Sequence, residues 1–177
     1  MSHSSSIVIR KVKSEEAISL QTISKNTFFS TYASENTKED MDAYLTENFN
    51  IDRLQNSLLN PDSFYYFAIH EEAIIGYLKV NRGAAQTDNL LPKALEIERI
   101  YVITEFQGKG IGMLLLEKAI EKAHSLSIKI LWLGVWEKNT KAIAFYKKHM
   151  FVPFANHHFM VGTDEQYDVL MKLELSF

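Results

Sequence analysis

The sequence predicts an α+β fold in which helices are layered about one central sheet. Three observations predict it: a first third with apolar residues at helical spacing, a central pair of short apolar runs, and a second half alternating strand, helix, strand, helix. The chain has 177 residues, 46% of them apolar and 23% charged. That is ordinary globular usage and argues against a disordered or fibrous protein. At ~150 residues per domain, one domain over 1–177 is expected, large enough to bury ~70% of its unfolded surface.

The elements follow in order. Ile7, Ile9 and Val12 suggest a first strand. Over 15–32, Ala17, Leu20, Ile23 and Phe28 recur at helical spacing. Thr37 followed by Asp40 resembles a capping box opening a helix through Met41, Tyr44 and Leu45, and a short helix over 51–59 stops near Pro61. Runs at 64–69 and 74–80 read as an antiparallel hairpin turning at 70–73, followed by a looser polar stretch over 82–91. Strands at 95–102 and 129–135 alternate with helices at 110–125 and 139–149. A C-terminal pair, around Phe151 and over 168–175, closes the sheet.

Composition removes several functions. Nineteen Lys plus Arg against 22 Asp plus Glu give a net charge of -3, with no basic excess for neutralising a nucleic-acid backbone. The absence of cysteine excludes disulfides, thiolate metal sites and a Cys-bound acyl intermediate. The longest apolar stretch, 130–136, falls far short of the ~20 residues that span a bilayer, and 1–6 has no signal-peptide core. The expected compartment is the cytoplasm, with no membrane partner.

In Leu95, Ile97, Ile100 and Val102 the apolar spacing runs two, three, two. One extra residue at Glu98–Arg99 is the signature of a β-bulge, which leaves backbone groups unpaired for a ligand; a strand buried on both faces is the alternative. The strand leads into Gln107, Gly108, Lys109, Gly110, Ile111 and Gly112, and then a helix with Ile111, Leu115, Ala119 and Ala123 on one face. Strand, glycine loop and helix form a phosphate-binding arrangement, because glycines admit an anion to the first-turn N–H groups and the helix dipole. The loop fits neither G-x-G-x-x-G nor G-x-x-x-x-G-K-[ST], and a simple tight turn is its bland reading. Further on, Asn139 and Tyr146 are seven residues apart, which puts them on one helical face. A plain N-cap and a half-buried core aromatic would explain them equally.

In order and spacing, Glu96-Ile97-Glu98-Arg99-Ile100-Tyr101-Val102, then Gln107-x-x-Gly110-x-Gly112, then Asn139-x-x-Ala142-x-x-Phe145-Tyr146 resemble the GCN5-related N-acetyltransferase superfamily. Within it, the stretch from Trp132 to Asn139, and Thr27-Phe28 with Thr31-Tyr32, are similar to bacterial PaiA-like spermidine/spermine acetyltransferases. The match is strongest over 94–152 and extends thinly over 15–174. Met150 departs from it, standing where the family often has Gly.

The resemblance implies an α/β/α-layered fold with a mixed, mostly antiparallel sheet of six to seven strands. It also implies direct acetyl transfer from acetyl-CoA, as co-substrate, to a primary amine, with no metal. Gln107, Gly108, Lys109, Gly110, Ile111 and Gly112 would hold the pyrophosphate. Backbone of Ile100, Tyr101 and Val102 would hold the pantetheine arm and thioester carbonyl, Asn139 would touch the arm from the other side, and Lys148 would reach a CoA phosphate. An amine of pKa ~10.4 is only about 0.1% unprotonated three units lower, equivalent to ~4 kcal/mol, so a proton acceptor has value. Glu98 is the candidate base, directly or through water, with Glu96 the alternative. Tyr146 is the candidate acid; with phenol at ~10 against thiol at ~8.5, complete transfer is uphill by ~2 kcal/mol, which favours a hydrogen bond to the departing thiolate.

For the acceptor, Glu35, Glu39, Asp40, Asp42 and Glu47 could attract a cation, though acids near a helix start also offset its dipole. Phe28, Phe29 and Tyr32 could wall a polyamine or pack the core. A polyamine therefore rests mainly on the resemblance. The pair His157-His158 lacks a second ligand cluster of recognised metal spacing. An acetyltransferase for a protein amine, a non-catalytic acyl-CoA sensor, and a homodimer stay open.

Overall fold

The computed structural model describes residues 7–161 and 163–176. The start over 1–6, read above for a signal peptide, lies outside the described residues. In chain order come β1 (Ile7–Lys11), α1 (Ala17–Tyr32), α2 (Lys38–Asn48), α3 (Ile51–Leu59), β2 (Ser63–His70), β3 (Ala73–Arg82), β4 (Leu95–Val102), α4 (Ile111–Ser125), β5 (Ile130–Trp136), α5 (Thr140–Lys148), β6 (Val152–Val161) and β7 (Asp164–Glu174). The seven strands form one sheet in the order β1-β2-β3-β4-β5-β7-β6. β4 and β5 run parallel, and the other neighbours are antiparallel.

Helices cover both faces because the strands carry apolar side chains on both. On one face, Leu78, Val80, Leu95, Ile97, Leu131 and Leu133 pack under Ile111, Leu115 and Ala119 of α4 and Tyr146 of α5. On the other, Tyr65, Phe67, Tyr77 and Trp136 meet Leu20 and Phe28 of α1, Met41 of α2 and Leu54 of α3. Thr37 caps α2 as its sequence foretells, accepting a hydrogen bond from Asp40 N at 3.1 Å.

The sheet splits at its centre. β4 and β5 pair only at Leu95 with Leu131 and Glu96 with Trp132. Beyond that, β4 stays with β3 as far as Val102, and β5 stays with β7 as far as Trp136. From Ile97 onward, the β5-facing edge of β4 has no partner strand among the described residues. A wedge opens between the strands.

The bulge falls where the spacing placed it. Lys79 lies opposite Arg99 and Val80 opposite Ile97, so Glu98 is the extra residue. Two expectations fell short of the structure. The C-terminal pair is a long hairpin, with β6 starting at Val152 and β7 at Asp164; a segment carrying Pro153, Asn156 and two His shows too little alternation to announce a strand. The polar stretch after β3 is an ordered flap: Trp132 Nε1 donates to Gln86 Oε1 at 2.6 Å, and Thr87 N donates to Glu96 Oε2 at 2.9 Å.

Candidate active site

The start of α4 is open. Gly108 and Gly110 have φ of 74° and 84°, the left-handed region that suits glycine. Gly110 is the N-cap residue and supplies no side-chain cap, whereas Thr37, Asn50 and Asn139 cap α2, α3 and α5. The first-turn N–H groups of α4 thus have no side-chain cap, and with the helix dipole they are the kind of feature that suits an anion. Gln107 ties this turn to the wedge, its Nε2 donating to the carbonyl of Val102 at 3.0 Å. That bond occupies one of the backbone groups expected for a pantetheine arm. The Lys109 ammonium lies 4.8 Å over the Phe106 ring.

The bulge carries a dense ionic cluster. Burial alone would raise Glu98, but the charges of Lys79 and Arg99 outweigh it and lower the carboxyl to about 2. Lys79 forms an ion pair with it, Arg99 Nε donates to it at 3.2 Å, and Asn81 Nδ2 donates at 2.6 Å. The same Nδ2 reaches Glu96 Oε2 at 3.1 Å, and Ser63 Oγ donates to Asn81 Oδ1 at 2.9 Å. Glu96 is 2% exposed. Burial, then the charge of Glu98, raises its pKa against hydrogen bonds from Thr87 and Asn81. One asparagine thus bridges two carboxyls pushed in opposite directions.

Asn139 is the N-cap of α5, and Tyr146 is its buried residue. Asn139 Oδ1 accepts from Ala142 N at 3.1 Å, which spends its oxygen on the helix and leaves its amide donors. Tyr146 is 7% exposed, and burial, then Tyr32, raises its pKa. Its phenol stays protonated as a donor. Phe145 packs against Gly112, where a Cβ would meet its ring at 3.7 Å. Lys148 is exposed in the last turn of α5.

A cavity of ≈ 600 Å³ lies on the α1–α3 side and takes residues from both strands of the wedge, Glu98, Arg99 and Tyr101 from β4 and Trp132 and Gly134 from β5. Its walls include Phe28, Tyr32, Tyr44, Tyr65 and Tyr77. Phe28 stacks on Tyr44 with centroids 4.3 Å apart, so it packs the core and lines the cavity at once. Phe29 is 51% exposed and belongs to neither. The acids over 35–47 lie elsewhere: Glu35 meets Lys138 at 3.3 Å, Asp40 accepts from Thr163 N at 2.8 Å, and none of the five lines the cavity. His157 lines it too. His158, its neighbour along β6, has its Nδ1 against the Glu165 carboxyl instead, as expected of adjacent strand residues that point to opposite faces. Among the described residues, no three His, Asp or Glu side chains group as a metal site, and no helix is long and apolar enough to cross a membrane.

Sequence reasoning missed Lys79, Asn81 and Thr87, the partners of the two carboxyls, and Asp168 on β7. An isolated acid at the head of the apolar run over 168–175 was the available signal for Asp168.

Comparison with known proteins adds to this geometry. Residues 25–151 match the model of the Acetyltransferase (GNAT) family. The chain is 41% identical over 153 residues to an uncharacterised N-acetyltransferase in the pepI 3′ region of Lactobacillus delbrueckii subsp. lactis, covering 86% of this chain and 88% of that one. It is 26% identical over 153 residues to a spermidine N(1)-acetyltransferase of Thermoplasma acidophilum, covering 82% and 88%. In fold it is similar to the crystal structure of a PaiA N-acetyltransferase from Thermoplasma acidophilum in complex with coenzyme A, with a TM-score of 0.78, 23% identity, and 96% and 99% of the two chains covered. An uncapped α4 beside a split sheet fits the diphosphate and pantetheine of acetyl-CoA, and the matched span runs from α1 through that site: the chain belongs to the acetyltransferase (GNAT) family and is an acetyl-CoA-dependent N-acetyltransferase.

Proposed function

We propose that the protein transfers acetyl to a primary amine of a polyamine, by direct attack and without a covalent enzyme intermediate. The observation that carries this reading is the shared lining: both strands of the wedge also wall the aromatic cavity, so an amine in the cavity reaches an acyl group held in the wedge. Tyrosine faces and carboxylates suit a chain of methylenes and ammonium groups. The spermidine acetyltransferase of Thermoplasma acidophilum among the relatives supports the same class of acceptor.

Acetyl-CoA supplies the activated acyl group, and the protein's own groups position it. The amides opening α4 bind the diphosphate, the edge of β4 over 100–102 holds the arm through the groups left beside the Val102 carbonyl that Gln107 occupies, and the Asn139 amide donates from the far side. Lys109 and Lys148 add charge toward the phosphates. Tyr146 donates a hydrogen bond to the departing sulfur, a role that a buried, protonated phenol suits.

Glu98, the residue at the bulge, is our candidate base, and its surroundings define how it acts. Moving a proton from an ammonium at ~10.4 to a carboxyl at about 2 is uphill by roughly 11 kcal/mol, too much for direct storage. Lys79, Arg99 and Asn81 take three of about four acceptor sites on the carboxylate. The remaining site can orient a water that relays the proton outward. Glu96, with its raised pKa, is the second candidate.

A CoA-release assay across spermidine, spermine, small monoamines and N-terminal peptides tests the reading. Preference for spermidine or spermine upholds it. Peptide preference would replace it with a protein acetyltransferase, and tight acetyl-CoA binding without turnover would replace it with a sensor.

A further inference from the structure

The cavity holds one carboxylate without a hydrogen bond or ion pair among the described residues, His157 being the group whose charge favours it. Glu98 has two cations and an amide, and Glu96 has Thr87 and Asn81. Asp88 lies 4.0 Å from His157. Asp168, which lines the same cavity, accepts no hydrogen bond and forms no ion pair among the described residues; its Oδ1 is sealed from solvent without a partner. A carboxylate oxygen left without a hydrogen bond in such a place is costly, and native proteins rarely keep one without a use.

Local construction favours a use. Asp168 lies opposite Trp136 in the β5–β7 register and beside Gly134, where a Cβ would come within 3.2 Å of Asp168 Oδ2. Any larger residue at position 134 would push against the carboxylate, so glycine lets the side chain rest over β5, the strand that forms one side of the wedge. Facing groups come from three other elements: His157 on β6, Tyr32 on α1 and Tyr44 on α2. Two are phenols whose pKa values are raised mainly by burial and further by Asp168. A negative charge between aromatic rings is a fitting receptor for an alkylammonium, which pairs with the carboxylate and rests against the ring faces.

We propose that Asp168 is an acceptor-binding residue, its carboxylate receiving an ammonium group of the cationic amine in the cavity. This rests on the amine-acetyltransferase reading above. It adds a specificity-determining residue on β7, away from the bulge and the glycine loop.

The test measures spermidine turnover and, separately, spermidine binding by calorimetry without acetyl-CoA, for wild type, Asp168→Asn, Asp168→Glu and Gly134→Ala. Asp168→Asn is expected to raise the spermidine KM and the calorimetric Kd about tenfold or more. The acetyl-CoA KM should be unchanged and kcat within about twofold, a split that purely structural damage would not give. Asp168→Glu should recover part of the loss, and Gly134→Ala should weaken spermidine in the same direction. Unchanged spermidine KM in Asp168→Asn, or a loss confined to kcat, overturns the proposal while leaving the acetyltransferase reading intact. If wild type acetylates no amine, that reading fails, and calorimetry decides for Asp168: weaker spermidine binding in the variants upholds it, and equal or absent binding in wild type overturns it. Should Asp168→Asn not fold, Asp168→Glu and Gly134→Ala carry the same readouts.

Discussion

Tyr146 and Phe151 are joined twice: their ring centroids lie 5.5 Å apart in an edge-on contact, and Phe151 N donates to the carbonyl of Tyr146 at 3.0 Å. With Met150 N donating to Lys147 O at 3.1 Å, this is the paired hydrogen bonding of a Schellman turn, including its apolar contact. The turn that ends α5 therefore also fixes the ring of the candidate acid. Because the ring is held by Phe145 and Phe151, its position should survive loss of the hydroxyl. Tyr146→Phe should fold normally and lower kcat by about 10²-fold, within the span of general-acid effects, with acetyl-CoA KM nearly unchanged. Wild-type turnover in steady-state assays would remove Tyr146 from the role.

Met150 occupies the left-handed position of the same turn, at φ 68°, with its side chain 74% exposed. A side chain there costs about 1–2 kcal/mol relative to glycine, partly offset by the greater freedom glycine has when unfolded. Met150→Gly should thus stabilise the protein by about 0.5–1 kcal/mol, seen as a higher urea midpoint at unchanged m-value. An unchanged or lower midpoint would mean that contacts of the Met150 side chain outweigh its strain.

Glu98 has a stability consequence that must be separated from catalysis. Its folded pKa, about 2 against an ordinary 4.5, means that its contribution is fully present above the unfolded value and is lost as pH falls through 2. Glu98→Gln leaves Lys79 and Arg99 without their counter-charge in a buried site, which should cost about 3–5 kcal/mol. Adding Lys79→Met should recover part of it, measured by denaturant unfolding at pH 7. Where Glu98→Gln stays folded, kcat/KM should fall most at neutral pH and recover as the amine loses its proton. An unchanged pH profile would exclude Glu98 from the proton path.

These cases show which physical signals a sequence carries. The bulge was legible because one inserted residue shifts the phase of apolar spacing from Ile97 to Ile100, a local effect. The glycine loop and the Thr37 cap were legible because φ and capping demands act within a few residues. Lys79, Asn81 and Thr87 were not, because their meaning depends on strand register and on a flap folding back over Glu96. The acids over 35–47 show the converse: charge is dense along the chain there, yet none of those side chains lines the cavity. Phe28 and Tyr32 pack the core and line the cavity with the same rings, so helical spacing alone does not separate the two roles.

Asp168 provides the remaining prediction. Burial raises its pKa from 3.8 to about 6, with His157 opposing. Tyr32 and Tyr44 face it as neutral phenols, and Gly134 and Trp136 on β5 carry no charge. Between roughly pH 4 and 6 the native state keeps a proton that the unfolded chain has released, so this residue makes stability fall as pH rises. Above pH 6 the whole penalty is present, up to ~3 kcal/mol. Asp168→Asn should therefore be more stable than wild type at pH 7–8, with the difference closing toward pH 4, in urea unfolding across that range. A stability gain from removing a charged residue is the pattern expected of a group retained for binding. Spermidine should then narrow the gap at pH 7, because a ligand that favours the wild-type native state stabilises it by mass action. A difference that is flat with pH would show that the carboxylate is ionised without penalty in the folded protein.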